Sequence, residues 1–274
     1  MWRLGTFESV FPRPTLNMQF EATNAAGFEC IQFDWQSAGI DPWQVEIPIE
    51  ASDRVVEASV GSDVAISAVS GTYNMAHPDV ESREAGHAGL VRVIESTPAL
   101  GASFVTLCTG TRSRDSMWHG NPENASDEAW ADCRASIAEA LAVAETSGVT
   151  LLVEPEPANV VANARLARSM LDELASPSLK IVLDPANIVL SDRSRPPDVV
   201  LREAFDLLGP DIVYAHAKDL SADDQFCAAG TGIVPWDYYQ ELLTEVGYTG
   251  GVIFHTLSES DIPRALSLFR PSVS

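Results

Sequence analysis

The sequence predicts a closed α/β barrel in which eight parallel strands alternate with helices. Three observations carry this expectation. The first is a series of eight short apolar segments: Arg3–Phe7, Cys30–Phe33, Val64–Val69, Phe104–Leu107, Thr150–Val153, Lys180–Leu183, Ile212–Ala215 and Val252–Phe254. Continuous apolar runs suit strands covered on both faces, as parallel strands are. The second is spacing: successive segments start roughly 27 to 46 residues apart, the length of one strand–helix unit with variable loops. The third is size, since 274 residues match the roughly 250 of a (β/α)8 TIM barrel. No linker, low-complexity tract or charge block interrupts the chain, so the reading is one domain spanning residues 1–274. A doubly wound open sheet is the alternative, but no GxGxxG follows the first strand. Gly230-Thr231-Gly232 resembles a phosphate loop only superficially, because no Lys-Ser or Lys-Thr follows it.

The intervening segments read as helices. Thr15 caps the first, with Leu16, Phe20 and Thr23 on one face and an end near Gly27. Between Gln36 and Ser59 a helix has several equivalent starting points. Ser82 opens another helix, carrying Leu90, Val91 and Ile94, with His87 as an ordinary helix residue. The clearest helix follows Ser126, with Asp127 and Glu128 in a first turn that favours negative charge. Trp130, Cys133, Ile137, Leu141 and Ala144 form its apolar stripe, and Gly148 ends it. Leu166, Met170 and Leu174 make a further face, as do Leu242, Leu243 and Val246 before Gly247. The loop Cys108–Asn124 is longer than most connections and contains Arg112, Arg114, Trp118 and His119, groups suited to covering a substrate.

Composition narrows the function classes. A net charge of -22 repels phosphate backbones and anionic membranes, so nucleic acid and membrane are not expected partners. A small neutral or cation-assisted substrate fits better. The four cysteines (Cys30, Cys108, Cys133, Cys227) are far apart and show no CxxC spacing, which reads as reduced thiols in a cytoplasmic protein. The N-terminus enters a strand-like run directly, with no signal peptide and no apolar stretch of membrane-spanning length.

The chemistry is expected at the strand ends. Leu151-Leu152-Val153 runs into Glu154-Pro155-Glu156-Pro157, and the prolines, which lack a ladder donor, stop the strand there. Ile181-Val182-Leu183 ends in Asp184-Pro185, Ile212-Val213-Tyr214-Ala215 in His216, and Val252-Ile253-Phe254 in His255. In a barrel these four C-terminal ends converge where active sites form. Two carboxylates and two imidazoles suit a divalent transition metal, so Glu154, Asp184, His216 and His255 are the expected ligands. A lone acid at a strand end is usually a helix cap or a solvated loop group; four at equivalent places argue otherwise. Glu156 is expected on the other side of the strand end from Glu154, and is the alternative ligand. Glu8, His77, Glu156, Asn187 and Lys218 are the candidate substrate contacts. For Glu8 and His77 a plain loop position is the competing reading. For Lys218 the competing reading is an ion pair with Asp219.

The ordered set Glu154-Pro155-Glu156, Leu183-Asp184-Pro185-Ala186-Asn187 and His216-Ala217-Lys218-Asp219 resembles the sugar isomerase/epimerase family with xylose-isomerase-like TIM barrels. Gly230-Thr231-Gly232-Ile233-Val234-Pro235-Trp236 and Gly247-Tyr248-Thr249-Gly250 are similar to its closing pattern, so the resemblance covers nearly the whole chain. It implies a divalent metal (Mn, Mg, Co or Zn) held by Glu, Asp, His and Glu from strands five to eight. It also implies two glutamates that shuttle a proton beside a sugar carbonyl, which the metal polarises. Glu154, Asp184 and His216 match the first three positions, while His255 stands at the fourth. A histidine keeps a ligand but leaves one carboxylate fewer, and with its lone pair on the metal it is a poor second base; Glu154 and His255 are the catalytic candidates. Asn187 stands where several family epimerases carry a substrate-binding histidine.

The expected function is therefore a divalent-metal-dependent isomerase or epimerase acting on a small ketose or polyol-type sugar. A metal-dependent dehydratase or lyase on a related polyol, and a non-catalytic sugar-binding barrel, are the alternatives. The same fold hosts abasic-site endonucleases, but five histidines and a charge of -22 argue against that chemistry. Family barrels often pair as dimers or tetramers, so a homo-oligomer is a compatible state. Sugar identity is expected to be set by loops after the first four strands, including Glu8, Tyr73, His77 and Arg112; Arg112 and Arg114 leave a phosphate open, but a surface pair with local acids is their expected role.

Overall fold

Residues 2–270 are described by a computed structural model. Met1 and residues 271–274, the two ends of the single-domain reading, lie outside them. The eight expected strands all form, each within two residues of its anticipated bounds. They are β1 (Leu4–Phe7), β2 (Cys30–Phe33), β3 (Ala65–Ser70), β4 (Phe104–Cys108), β5 (Thr150–Glu154), β6 (Leu179–Leu183) and β7 (Ile212–Ala217), closed by β10 (Val252–Phe254). A small antiparallel hairpin of β8 (Asp219–Leu220) and β9 (Phe226–Cys227) precedes the last barrel strand. Every barrel pair is parallel, and β1 closes the ring by pairing with β10, Leu4 opposite Val252.

Helices pack outside the ring. In order they are α1 (Leu16–Ala25), α2 (Ile49–Ser62), α3 (Val80–Ser96), α4 (Asp127–Ser147), α5 (Ala164–Leu174), α6 (Pro185–Ser191), α7 (Pro197–Leu208), α8 (Trp236–Glu245) and α9 (Ile262–Phe269). Thr15 caps α1 by accepting from the Met18 N–H, and Ser126 caps α4 by accepting from Ala129. Gly148 ends α4 with φ +67°, a conformation that costs glycine little. Cys133, Ile137, Leu141 and Ala144 bury the stripe of α4 against the barrel, with Trp130 at its edge.

Two helix starts differ from expectation. Asp79, not Ser82, caps α3: its carboxylate accepts from the Glu81 N–H, and the Ser82 hydroxyl donates to its other oxygen. The ambiguous Gln36–Ser59 stretch divides into a 3-10 turn at Trp35–Ala38 and α2, which begins after Pro48. Proline lacks a backbone N–H and is tolerated at a helix start. The cysteines are all unpaired; Cys30, Cys108 and Cys133 are buried and Cys227 is partly so.

The barrel interior decides where the site lies. Strand residues alternate faces, and Cys30, Ala68, Leu152, Val182, Tyr214 and Ile253 form one inward apolar cluster. Gly5 of β1 has no room for a side chain beside this layer, since a Cβ there would sit 2.5 Å from the Cys30 carbonyl oxygen. Two residues further along each of those six strands stand Gln32, Ser70, Glu154, Asp184, His216 and His255. The same period that fills the core with apolar groups thus delivers polar ones to its C-terminal end.

Candidate active site

A cavity of about 790 Å³ opens at that end. Its floor holds Gln32, Ser70, Thr106, Glu154, His216 and His255, and Glu8, Asp34 and Ser37 form one wall. Glu156, Lys218, Phe226 and Trp118 border it as well. Glu154 and Glu156 line the same cavity, contrary to the opposite-side expectation. Positions i and i+2 of an extended chain share a face, and the chain turns only at Pro157, after Glu156.

The four expected ligands meet in hydrogen-bonded pairs. His216 Nδ1 lies 3.2 Å from Glu154 Oε1, and His255 Nε2 lies 2.9 Å from Asp184 Oδ2. Asp184, His216 and His255 present donor atoms within 4.8 Å of one another. Asp184 also caps α6, its Oδ1 accepting from the backbone N–H groups of Ala186 and Asn187. This is the helix-cap role anticipated for a lone strand-end acid, combined here with a second oxygen that faces the cluster. Phe7 lies parallel to His255 with ring centroids 4.8 Å apart, which fixes the imidazole plane.

Neighbours hold these groups in place. Asn187 Nδ2 donates to Glu154 Oε1 at 2.9 Å, while Asn187 Oδ1 is buried with no hydrogen-bond partner. Gln32 Oε1 lies 2.8 Å from His216 Nε2, and Gln32 Nε2 donates to Ser70 and Thr106 hydroxyls. Both nitrogens of His216 are thus engaged, one by an acid and one by an amide, which orients the ring. Gln32 was missed in the sequence because it sits inside an apolar run. The signal was there: a polar residue in the middle of Cys30–Phe33, on the inward side.

The electrostatics follow from burial and crowding. Burial pushes the Glu154 carboxyl up, but His216 and Lys218 outweigh it and hold the group below its ordinary range. Asp184 is likewise lowered, with Lys218 and the His255 hydrogen bond overcoming its burial. His255 is lowered by burial, the Asp184 bond opposing and the nearby Lys218 and His216 assisting. Glu156 is raised to about 7 by burial, aided by Glu154 and Asp184 and opposed by Lys218. Lys218 stays charged: burial lowers it, but Asp184, Glu154 and Glu156 together raise it above its usual value. Its Nζ lies 3.8 Å from Glu156 Oε2 and 3.9 Å from the centre of the Phe226 ring.

Other anticipated residues fall elsewhere. His77 lies outside the cavity lining; its Nδ1 accepts from the Asp79 N–H at the start of α3. Arg112 turns inward, donating to Asp132 at 2.7 Å and to the Ala76 carbonyl, so it braces the loop rather than facing the cavity. Tyr73 packs against Trp43. Asp219 does not pair with Lys218: its oxygens accept from the N–H groups of Leu220, Gly230 and Val234 and from the Trp236 indole. That network explains the Gly230-Thr231-Gly232 segment as a turn held by a buried acid. Glu8 does line the cavity, with the Ser37 hydroxyl donating to it at 2.7 Å.

Comparison with known proteins agrees with this architecture. A curated ketose 3-epimerase of Arthrobacter globiformis is 25% identical over 269 residues, covering 95% of this chain and 85% of that protein. The crystal structure of a D-tagatose 3-epimerase-like protein superposes with a TM-score of 0.77 at 16% identity, over 97% of this chain and 95% of the other. That of an L-ribulose 3-epimerase gives 0.70 at 20% identity, over 100% and 89%. Residues 20–271 match the model of one family throughout, and with the closed eight-stranded ring they make this chain a member of the xylose isomerase-like TIM barrel family.

Proposed function

We propose that the protein is a divalent-metal-dependent epimerase of an unphosphorylated ketose, with Glu154 as the base that removes the proton. One observation carries the reading. Glu154, Asp184, His216 and His255, delivered by four consecutive strands of the ring, meet in hydrogen-bonded pairs, with Glu154, His216 and His255 at the floor of one cavity and Asp184 buried behind His255. The curated relative named a ketose 3-epimerase supports the reaction class.

The donor set fits the metal. Two carboxylates and two imidazoles suit Mn, Co or Zn, and Mg less well, since it prefers oxygen and water. The ion supplies Lewis-acid polarisation of the substrate carbonyl, which acidifies the adjacent C–H. The chain does the rest. Glu154, kept ionised by His216 and Lys218, accepts the proton from that carbon. Asn187 and His216 hold its Oε1 from two directions, so the other oxygen is the one free to act. Epimerisation also needs a proton returned to the opposite face of the carbon. Glu156 borders the same space and is the group in position to do so, since a His255 that holds the metal has its lone pair occupied.

The substrate is unphosphorylated because no arginine lines the cavity, and its one ammonium, Lys218, faces Glu156. Asp34 in the cavity wall would repel an anionic group, and Glu8 beside it can bond sugar hydroxyls.

Elemental analysis separates the roles of His255 and Glu156. A His255→Ala protein is expected to lose most of its bound metal, whereas Glu156→Gln keeps the metal and loses turnover by at least about 100-fold. Metal fully retained in His255→Ala removes that residue from the ligand set. A native protein that takes up no metal after soaking with Mn, Co or Zn overturns the metal-dependent reading.

A further inference from the structure

The cavity is larger than a free ketose requires. Its volume is about 790 Å³, whereas a hexose has on the order of the bulk of six waters, at about 30 Å³ each. The acids and imidazoles at the floor account for the reacting end. The outer part is bordered by Trp118, from the loop after β4, and Phe226, from the β8–β9 hairpin.

These two side chains stand apart from the rest of the surface. Eight large apolar residues are exposed among the described residues, and the two aromatic ones are Trp118, 58% exposed, and Phe226, 37% exposed. Both border this one cavity. Exposed aromatic surface is unfavourable in water, and the matching partner for a flat apolar face is another flat apolar face. The Lys218 ammonium lies over Phe226 and thereby orients the ring. The backbone N–H of Trp118 donates to Ser116 Oγ, and Asn159 Nδ2 donates to the Met117 carbonyl, tying the loop down beside the cavity. The Phe226 ring is thus oriented by Lys218, and the loop that carries Trp118 is tied at its backbone.

A pyranose ring has the corresponding chemistry: apolar C–H faces and a rim of hydroxyls. Lys218, against Phe226, offers a donor for such a rim. We propose that the outer half of the cavity is a subsite for a second pyranose ring, so that the preferred substrate is a ketose carrying a neutral glycosyl group. The identity of the reacting end rests on the epimerase reading above; the subsite rests on cavity size and the two aromatic residues.

The test compares free fructose with glucosyl–fructose disaccharides linked through fructose O4, O5 or O6. It reads kcat/KM in the metal-loaded enzyme and calorimetric affinity in Glu154→Gln. At least one disaccharide is expected to exceed fructose by about tenfold in kcat/KM, and Trp118→Ala and Phe226→Ala each lower that preference severalfold, mainly through KM. Fructose preferred over every disaccharide, or a preference unchanged in both variants, overturns the subsite. If no sugar is turned over, affinity decides: Trp118-dependent binding of a disaccharide keeps the subsite and refutes the epimerase reading. Equal affinity for the two sugars overturns the subsite.

Discussion

Glu8 shows what a single buried acid does in this barrel. It follows β1 directly, is nearly inaccessible, and accepts the Ser37 hydroxyl at 2.7 Å. Burial, with some help from Asp34, raises its carboxyl from 4.5 to about 7, the Ser37 bond opposing. The folded state therefore holds this proton more tightly than the unfolded chain. Below about pH 4.5 the group costs nothing; stability falls as pH rises through about 7 and is level above that. The lost increment is on the order of 3 kcal/mol. Glu8→Gln removes it, so the difference in unfolding free energy between variant and parent shifts in the variant's favour across that window. A difference that stays flat with pH contradicts the assignment. Legibility at this scale was uneven. Glu154, Asp184, His216 and His255 were readable because each ends an apolar run, and a strand end at the C-terminal rim has one destination. Gln32 was hidden because the run around it reads as uniform core. The side on which Glu156 lies follows from the period of two, which the proline after Glu154 obscured. For Arg112 an acid partner was the expected reading, but its burial against Asp132, twenty residues away on α4, emerges only when that helix is placed; His77 takes the loop position that was its competing reading.

At the scale of elements, Asp219 connects the site to its rim. It accepts four hydrogen bonds, three from backbone N–H groups of the segment that carries β8 and the Gly230 turn, and one from Trp236 at the start of α8. Removing its oxygens leaves four donors unpaired, three of them buried. Asp219→Ala is expected to lose about 3 kcal/mol or more in urea unfolding, with faster amide exchange at Gly230 and Val234. Unchanged exchange at those two amides would show that the turn is held by something else. The strands themselves were legible to within two residues because parallel barrel strands need continuous apolar runs. The hairpin was not, because β8 and β9 are two residues each and carry no periodicity. Phe226, which that hairpin brings to the cavity, was invisible for the same reason. The start of α3 was misplaced by three residues because Asp79 and Ser82 are both good caps, and the structure uses both in one network.

For the whole molecule the dominant quantity is charge. There are 39 acidic residues against 17 basic ones, and of the latter only Lys180 and Lys218 are lysines. Lys218 is buried in the site and Lys180 bonds Asp211, so arginines supply the remaining surface cations. A net charge of -22 repels itself in the folded state, and added salt screens that repulsion. The melting temperature is expected to rise by several degrees between about 0.01 M and about 0.5 M sodium chloride; a flat or falling curve would mean that the arginine–acid pairs dominate. The central claim, that Glu154 removes a proton beside a ketose carbonyl, is tested most directly by deuterium uptake. Metal-loaded protein is incubated with free and glycosylated ketoses in D2O, and the sugars are followed by NMR. The account predicts deuterium at the carbon beside the carbonyl, lost by about 1,000-fold or more in Glu154→Gln. No exchange in any ketose by the metal-loaded protein, or exchange undiminished in the variant, contradicts it.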